Sequence, residues 1–210
     1  MPAAGDTERV PQVAGPCSIR RLPVKGHQAV LQQLLTLEKK LFKKQDNWGD
    51  LLAKEIQRRN TFLLYAEAPA ASAPPAEHTA AANLQPVQQA LRKARAGGIA
   101  RPPQRPPQQQ ASVVGYILFT TTGLNAHISK LAVAAEWRRR GVARSLVQAA
   151  VELASRERRV SSLSLHVDAS NEAALGLYHG QGFASEALLE DYYCRGRHAH
   201  KMRLELGSSL

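Results

Sequence analysis

Arg138-Arg139-Arg140-Gly141-Val142-Ala143 is the stretch on which the reading of this chain turns. A strand-like run, His127 to Ala135, leads into it, and a helix-like run, Val142 to Ser155, leads out. A strand that passes through a glycine into a helix leaves the first N–H groups of that helix unpaired, and the helix dipole adds partial positive charge there. Gly141 lets a phosphate approach the backbone with no Cβ in the way. Arg138, Arg139, Arg140 and Arg144 add charge-assisted donors. The stretch therefore predicts a diphosphate-binding turn. A nucleoside-triphosphate loop is not supported, because no Gly-x-x-x-x-Gly-Lys-Ser/Thr occurs, nor is a dinucleotide fold, because no Gly-x-Gly-x-x-Gly follows the first strand.

Working upstream, Ala126 to Ala134 reads as a strand with a fault in it. Ile128 is followed by polar Ser129 and Lys130, and then by Leu131 and Val133, so the apolar parity shifts. A β-bulge does this, and bulges often lie beside active sites. Ser112 to Thr121 and Thr61 to Tyr65 read as two further strands, and Ser18 to Leu22 as a first short one. Gln28 to Phe42 carries Val30, Leu31, Leu34, Leu35, Leu37, Leu41 and Phe42 at helical spacing. Gly49 to Arg59 reads as a second helix with Asp46 or Asn47 as its cap. Glu67 to Gln110 is rich in Ala, Pro and Gln and cannot bury enough apolar surface to fold alone. It is expected to be a disordered insertion (67–111), with Val87 to Arg95 as its one candidate helix.

Downstream, Val142, Leu146, Val147, Ala150, Val151 and Leu153 give the helix after the turn one broad apolar face. In the strand Ser162 to Val167, Leu163, Leu165 and Val167 share one face, which leaves Ser164 and His166 on the other. Asn171 to Gly180 reads as a helix capped by Ser170. Phe183 to Leu189 and His200 to Leu206 read as the last two strands.

The two motifs together, Arg-x-x-Gly-x-Ala and Asn171-Glu-Ala-Ala-Leu-Gly-Leu-Tyr178, resemble the signatures of the GNAT N-acetyltransferase superfamily. Leu165-His166-Val167 followed by Ser170-Asn171, and the pair Tyr192-Tyr193, resemble the catalytic subunits of protein N-terminal acetyltransferases. The resemblance implies an α/β GNAT fold over about residues 17–206: a mixed seven-strand sheet flanked by helices. It implies acetyl-CoA as cosubstrate, with the pantetheine arm on the backbone of Leu131, Ala132 and Val133 and on Asn171. Arg138, Arg139, Arg140, Gly141, Val142, Ala143 and Arg144 would wrap the diphosphate.

Tyr178 would be the general acid for the departing thiolate, since a phenol within reach can stabilise that charge as it develops. His166 would be the general base, a neutral imidazole being matched to an ammonium near pH 7. His127 stands where some members carry a catalytic Tyr, as a second base or a surface residue. Phe42, Trp48, Tyr192 and Tyr193 would grip the peptide. No metal ligand set is expected. The implied activity is acetyl transfer to a protein or peptide α-amine in a ternary complex. The alternatives are a lysine acetyltransferase of histone type and a non-catalytic acyl-CoA-binding scaffold.

Composition narrows the partners. The 210 residues carry a formal net charge of +11, which attracts phosphates, ribosomes or acidic peptides. Aromatic residues are not interleaved with the basic runs, so no specific nucleic-acid reader is expected. No apolar run approaches the roughly 20 residues that span a bilayer. Residues 1–16 read as a loose tail without the pattern of a secretory signal. Two cysteines, Cys17 and Cys194, are too few for a disulfide scaffold. The expected compartment is the cytoplasm, with the nucleus as the alternative. The expected partners are a substrate N-terminus and a ribosome or an auxiliary subunit.

Overall fold

The structure is a computed structural model and describes residues 17–23, 26–42, 46–68 and 111–207. The expected tail, nearly all of the expected insertion and the candidate helix at Val87 to Arg95 lie outside the described residues. Seven strands form a single sheet: β1 Ser18–Arg21, β2 Thr61–Ala68, β3 Ser112–Thr122, β4 Asn125–Val133, β5 Ser162–Asp168, β6 Ala184–Cys194 and β7 Arg197–Glu205. Their spatial order is β1-β2-β3-β4-β5-β7-β6, and only the β4–β5 pair is parallel. A parallel pair needs a long crossover, supplied here by the helix that follows the arginine turn. The helices are α1 Gln28–Leu41, α2 Gly49–Glu55, α3 Val142–Arg158 and α4 Glu172–His179. None of the described helices is long and apolar enough to cross a membrane.

The central strand β3 is buried on both faces, so it reads as a continuous apolar run rather than an alternating one. Tyr116 faces α1, where its hydroxyl meets Glu38. Gly115 faces α3, where a Cβ would stand 3.4 Å from Leu146. The same added Cβ would come within 2.8 Å of the Ala132 carbonyl oxygen, so only glycine lets β3 and β4 approach this closely.

The parity fault in β4 is a bulge. Leu118 pairs with Lys130 and Phe119 with Ile128, which leaves Ser129 as the extra residue. Its consequence lies on the other edge of β4. The parallel ladder to β5 runs only from Asn125–Ser162 to Ile128–Leu165. Beyond Ile128 the two strands separate, while β5 continues to Asp168 along β7. The bulge thus opens the sheet at its only parallel pair.

Four expectations need correction. The second helix ends at Glu55, not Arg59, because Gln57 and Arg58 N–H groups turn back to Lys54 and Glu55 carbonyls three residues away. Its start at Gly49 agrees with the expectation, but neither Asp46 nor Asn47 is its cap: Trp48 holds that position with no side-chain cap bond, and Asn47 Oδ1 instead accepts from the Gly49 N–H at 2.8 Å. Ser170 does not cap α4. The cap is Asn171, whose Oδ1 accepts from Ala174 N–H at 3.1 Å, while the Ser170 hydroxyl donates to Asp168. The expected strand ending at Leu189 runs five residues further, to Cys194, so Tyr192 and Tyr193 lie within β6. This edge strand is exposed almost throughout, so no burial alternation marks its length in the sequence. Asp191 at φ 52° interrupts its pairing with β7 just before the two tyrosines.

Candidate active site

The opening between β4 and β5 is a cleft of about 610 Å³. One lip is the β4 segment after the bulge, Ser129 to Leu131. The other is the end of β5, His166 to Asp168. Helix α4 closes one end with Asn171 and Tyr178, and Phe42 and Trp48 enter from the α1–α2 connection. Tyr193, Cys194 and Arg197 complete the wall from the β6–β7 hairpin. Residues far apart in the chain and singled out on separate grounds therefore share one space. Cys194 also faces this space, as a free thiol.

Tyr178 is the buried end of the cleft, 6% exposed, with its ring edge-on to Phe183 at 5.6 Å between centroids. Burial, reinforced by Tyr193, holds its phenol well above the ordinary value, so it stays protonated. Asn171 spends its Oδ1 on the helix cap and keeps its side-chain N–H donors for the cleft.

His166 sits on the lip with its Nδ1 3.0 Å from the Tyr192 hydroxyl. Burial lowers its pKa, and the nearby Lys201 ammonium lowers it further. His127 does not line the cleft. It lies behind His166, ring centroids 5.1 Å apart, with its Nδ1 3.0 Å from Ser164 Oγ. Its pKa is lowered by burial first and by His166 second. Both imidazoles are thereby kept neutral near pH 7. Tyr192 reaches the cleft only through His166 and stands edge-on to Tyr193.

From Leu131, β4 runs on through buried Ala132 to its end at Val133, and a short 3-10 turn, Ala135–Trp137, leads from there to the arginine turn. Gly141, at φ +82°, is the N-cap of α3, and nothing lies within 4 Å of where its Cβ would be. The first intrahelical bond is Ser145 N–H to Gly141 O at 3.0 Å, so the N–H groups of Val142, Ala143 and Arg144 precede the helical ladder. Arg139 also adopts positive φ, at 61°. Arg138 turns back, its Nε donating to Val133 O at 3.3 Å, and Arg140 lies over the Trp137 ring at 5.0 Å. The arginines and the unpaired N–H groups of this turn lie together in the chain beyond the end of the splayed strand.

Several polar residues of the site were missed by sequence reasoning. Glu38 is fully buried and is met by Tyr116 Oη, by Trp48 N–H at 2.8 Å and by Lys130 Nζ at 3.7 Å. Arg197 bridges two carboxylates, Asp168 at 2.5 Å and Asp46 at 3.1 Å, and lies 4.6 Å from the Tyr193 ring centroid. Asp168 is held to about 2, first by its bond from the Ser170 hydroxyl, which outweighs the opposing effect of burial, with Arg197 lowering it further. Glu38 left a readable signal: a charged residue four positions after Leu34 and four before Phe42, inside an apolar helical stripe. Among the described residues no cluster suited to a metal ion occurs.

A mixed sheet that splays at its parallel pair, with an anion-ready helix start at the end of the splayed strand, defines the GNAT architecture. The acetyltransferase (GNAT) family pattern matches residues 85–183 of the chain. The chain is similar to an N-alpha-acetyltransferase of Saccharolobus solfataricus, 29% identical over 103 residues, which is 43% of this chain and 62% of that protein. It is also similar to N-alpha-acetyltransferase 30 of Saccharomyces cerevisiae, 35% identical over 83 residues, 40% of this chain and 47% of that protein. The matches span less than two thirds of the length of either relative. In fold it resembles Arabidopsis thaliana NAA60, solved in complex with a bisubstrate analogue, with a TM-score of 0.62 at 14% identity over 90% of this chain and 100% of that one.

Proposed function

We propose that this protein transfers the acetyl group of acetyl-CoA to the α-amine of a protein or peptide N-terminus, directly and within a ternary complex. One observation carries the reading: Asn171, Tyr178 and His166 face a single cleft bounded by the splayed β4, and the chain passes from the end of β4 through one short 3-10 turn to Gly141. The similarity to N-alpha-acetyltransferases favours an α-amine as acceptor.

The residues fit the donor. A gap opened by a bulge accepts a narrow pantetheine arm along Leu131, Ala132 and Val133, where strand backbone has lost its parallel partner. Asn171 offers side-chain donors beside it. The N–H groups at Gly141, Val142, Ala143 and Arg144 suit a diphosphate, and Arg138, Arg139, Arg140 and Arg144 add positive charge around it. Acetyl-CoA, when bound, supplies the activated acyl group.

The remaining chemistry belongs to the chain. Phe42, Trp48 and Tyr193 hold the acceptor's first residue at the mouth. His166 is neutral, so it can take a proton from the incoming ammonium, directly or through water, and Tyr192 orients its ring. His127 behind it is equally neutral and serves as a second base. Tyr178, still protonated, donates a hydrogen bond to the sulfur as the thiolate leaves. An auxiliary subunit and a ribosome are the proposed partners, and the cytoplasm the proposed compartment.

The experiment is thiol release from acetyl-CoA with a library of N-terminal peptides, followed by mass spectrometry of the products. Acetylation at the α-nitrogen, lost in His166→Ala, is the expected result. Acetylation confined to lysine side chains would move the assignment to the ε-amine, and tight acetyl-CoA binding without turnover on any amine would overturn catalysis altogether.

A further inference from the structure

Glu38 is 0% exposed, and a carboxylate that far from water is costly unless it is fully partnered. Its partners come from three directions: the Tyr116 hydroxyl on β3, the Trp48 N–H at the start of α2 and the Lys130 ammonium at the bulge. Lys130 is itself 10% exposed, and its other contacts all lie on one segment. Its Nζ donates to Asp46 O at 2.6 Å, stands 3.8 Å from the centroid of the Phe42 ring and 5.2 Å from that of Trp48. Every residue that lines the cleft from the α1–α2 connection thus touches this one ammonium. Asp46 carries the link onward, its carboxylate accepting from Arg197, which lies over Tyr193 on the opposite wall.

A buried ion pair adds little net stability over an apolar replacement, but breaking one partner is expensive and its directional bonds fix geometry. Here that geometry is the position of the aromatic wall. We propose that Lys130, oriented by Glu38, is a positioning residue that sets the acceptor wall of the cleft, holding Phe42, Asp46 and Trp48 where the first residue of an amine acceptor packs. The proposal rests on the reading of this cleft as the acceptor site. Neither residue touches the donor turn or the His166–Tyr178 pair, so their effect falls on acceptor binding rather than on chemistry.

The test pairs kinetics with a probe that needs no turnover. The chain has two tryptophans, so in a Trp137→Phe background Trp48 alone reports. In Lys130→Met, the KM for a good peptide acceptor should rise about tenfold. Its kcat and the KM for acetyl-CoA should stay within about twofold of the parent. Acrylamide quenching of Trp48 should increase, and Lys130→Arg should restore both readouts.

Should Met at 130 prevent folding by stranding Glu38, the paired Glu38→Gln/Lys130→Met variant removes both charges and is read in the same two assays. An unchanged acceptor KM, or a fall in kcat with unchanged Trp48 quenching, would overturn the proposal. If the parent protein acetylates no peptide, the acetyltransferase reading fails by itself, and the quenching comparison still decides whether Lys130 holds the wall.

Discussion

Replacing Tyr178 with Phe removes one oxygen from the cleft and leaves the core packing in place. The ring is buried against Phe183, and its hydroxyl makes no hydrogen bond among the described residues. Stability should therefore change by no more than about 0.5 kcal/mol. The effect on rate follows from the direction of its pKa. Burial raises the phenol above its ordinary 10, whereas an ordinary thiol titrates near 8.5. Full proton transfer to the departing sulfur thus runs uphill, and the hydroxyl contributes mainly as a hydrogen-bond donor to developing charge. A bond to a charged group is worth about 1.5–3 kcal/mol, or roughly 10- to 200-fold in rate. That lies toward the low end of the roughly 10²–10⁴ typical of a well-matched general acid. The assay is steady-state thiol release with a fixed peptide, repeated with an acetyl thioester of a more acidic thiol, for which the deficit should shrink. An unimpaired Tyr178→Phe enzyme, or a deficit independent of the leaving thiol, would refute the reasoning.

Acid should act on both histidines. Their folded pKa values lie below the ordinary one, so as pH falls through about 6.5 the unfolded chain binds protons first. Stability is full above that value and is lost toward the folded values, which urea midpoints at pH 7.5 and 5.5 will show and which His127→Gln should lessen. The rate, kcat/KM, should fall on the acid side with an inflection below about 6.5, and His166→Ala should lack that limb. Gly141→Ala places a Cβ on a residue at φ +82° and should cost about 1–2 kcal/mol, measured by thermal unfolding. The same substitution should weaken acetyl-CoA binding in calorimetry more than it affects acceptor KM. Raising salt should raise the KM for acetyl-CoA while leaving the acceptor KM nearly constant, since Arg138, Arg139, Arg140 and Arg144 make no ion pair among the described residues.

Periodicity and punctuation carried most of the fold. The apolar faces around Leu146 and Leu34, and the glycine between strand and helix, are local signals, and each lands in the element expected of it. The fault at Ser129 was legible for the same reason, because a strand's period of two makes any extra residue visible. The extent of β6 was not legible, since an edge strand exposed on both faces has no period to read. Ser170 and Asn171 are both good caps in isolation, and the choice between them was made by Asp168, which occupies the serine hydroxyl. The site followed the same division. His166 and Tyr178 belong to short motifs, whereas Glu38 and Lys130 sit 92 residues apart and meet only because α1 packs across the bulge.

The charges of the site are arranged in two ways, and the difference matters for how two oppositely charged reactants share one cleft. Around the acceptor end each charge touches an opposite one, Glu38 with Lys130 and both Asp46 and Asp168 with the single Arg197, which leaves these five groups one charge negative. Paired charges have short-range fields, so this end holds shape and recognises by contact. At the other end the arginine turn is unbalanced and adds to a chain of net charge +11. An unbalanced surface acts at a distance and draws an anion such as a diphosphate before contact is made. On the proposed function the same field repels an ammonium acceptor, which would be received by packing before His166 takes its proton. A donor already in place cancels much of that positive field. On that reading, binding of the anionic donor would lower the electrostatic cost of admitting the cationic acceptor, and donor-first order in product-inhibition kinetics is the expected outcome, with no change of conformation required.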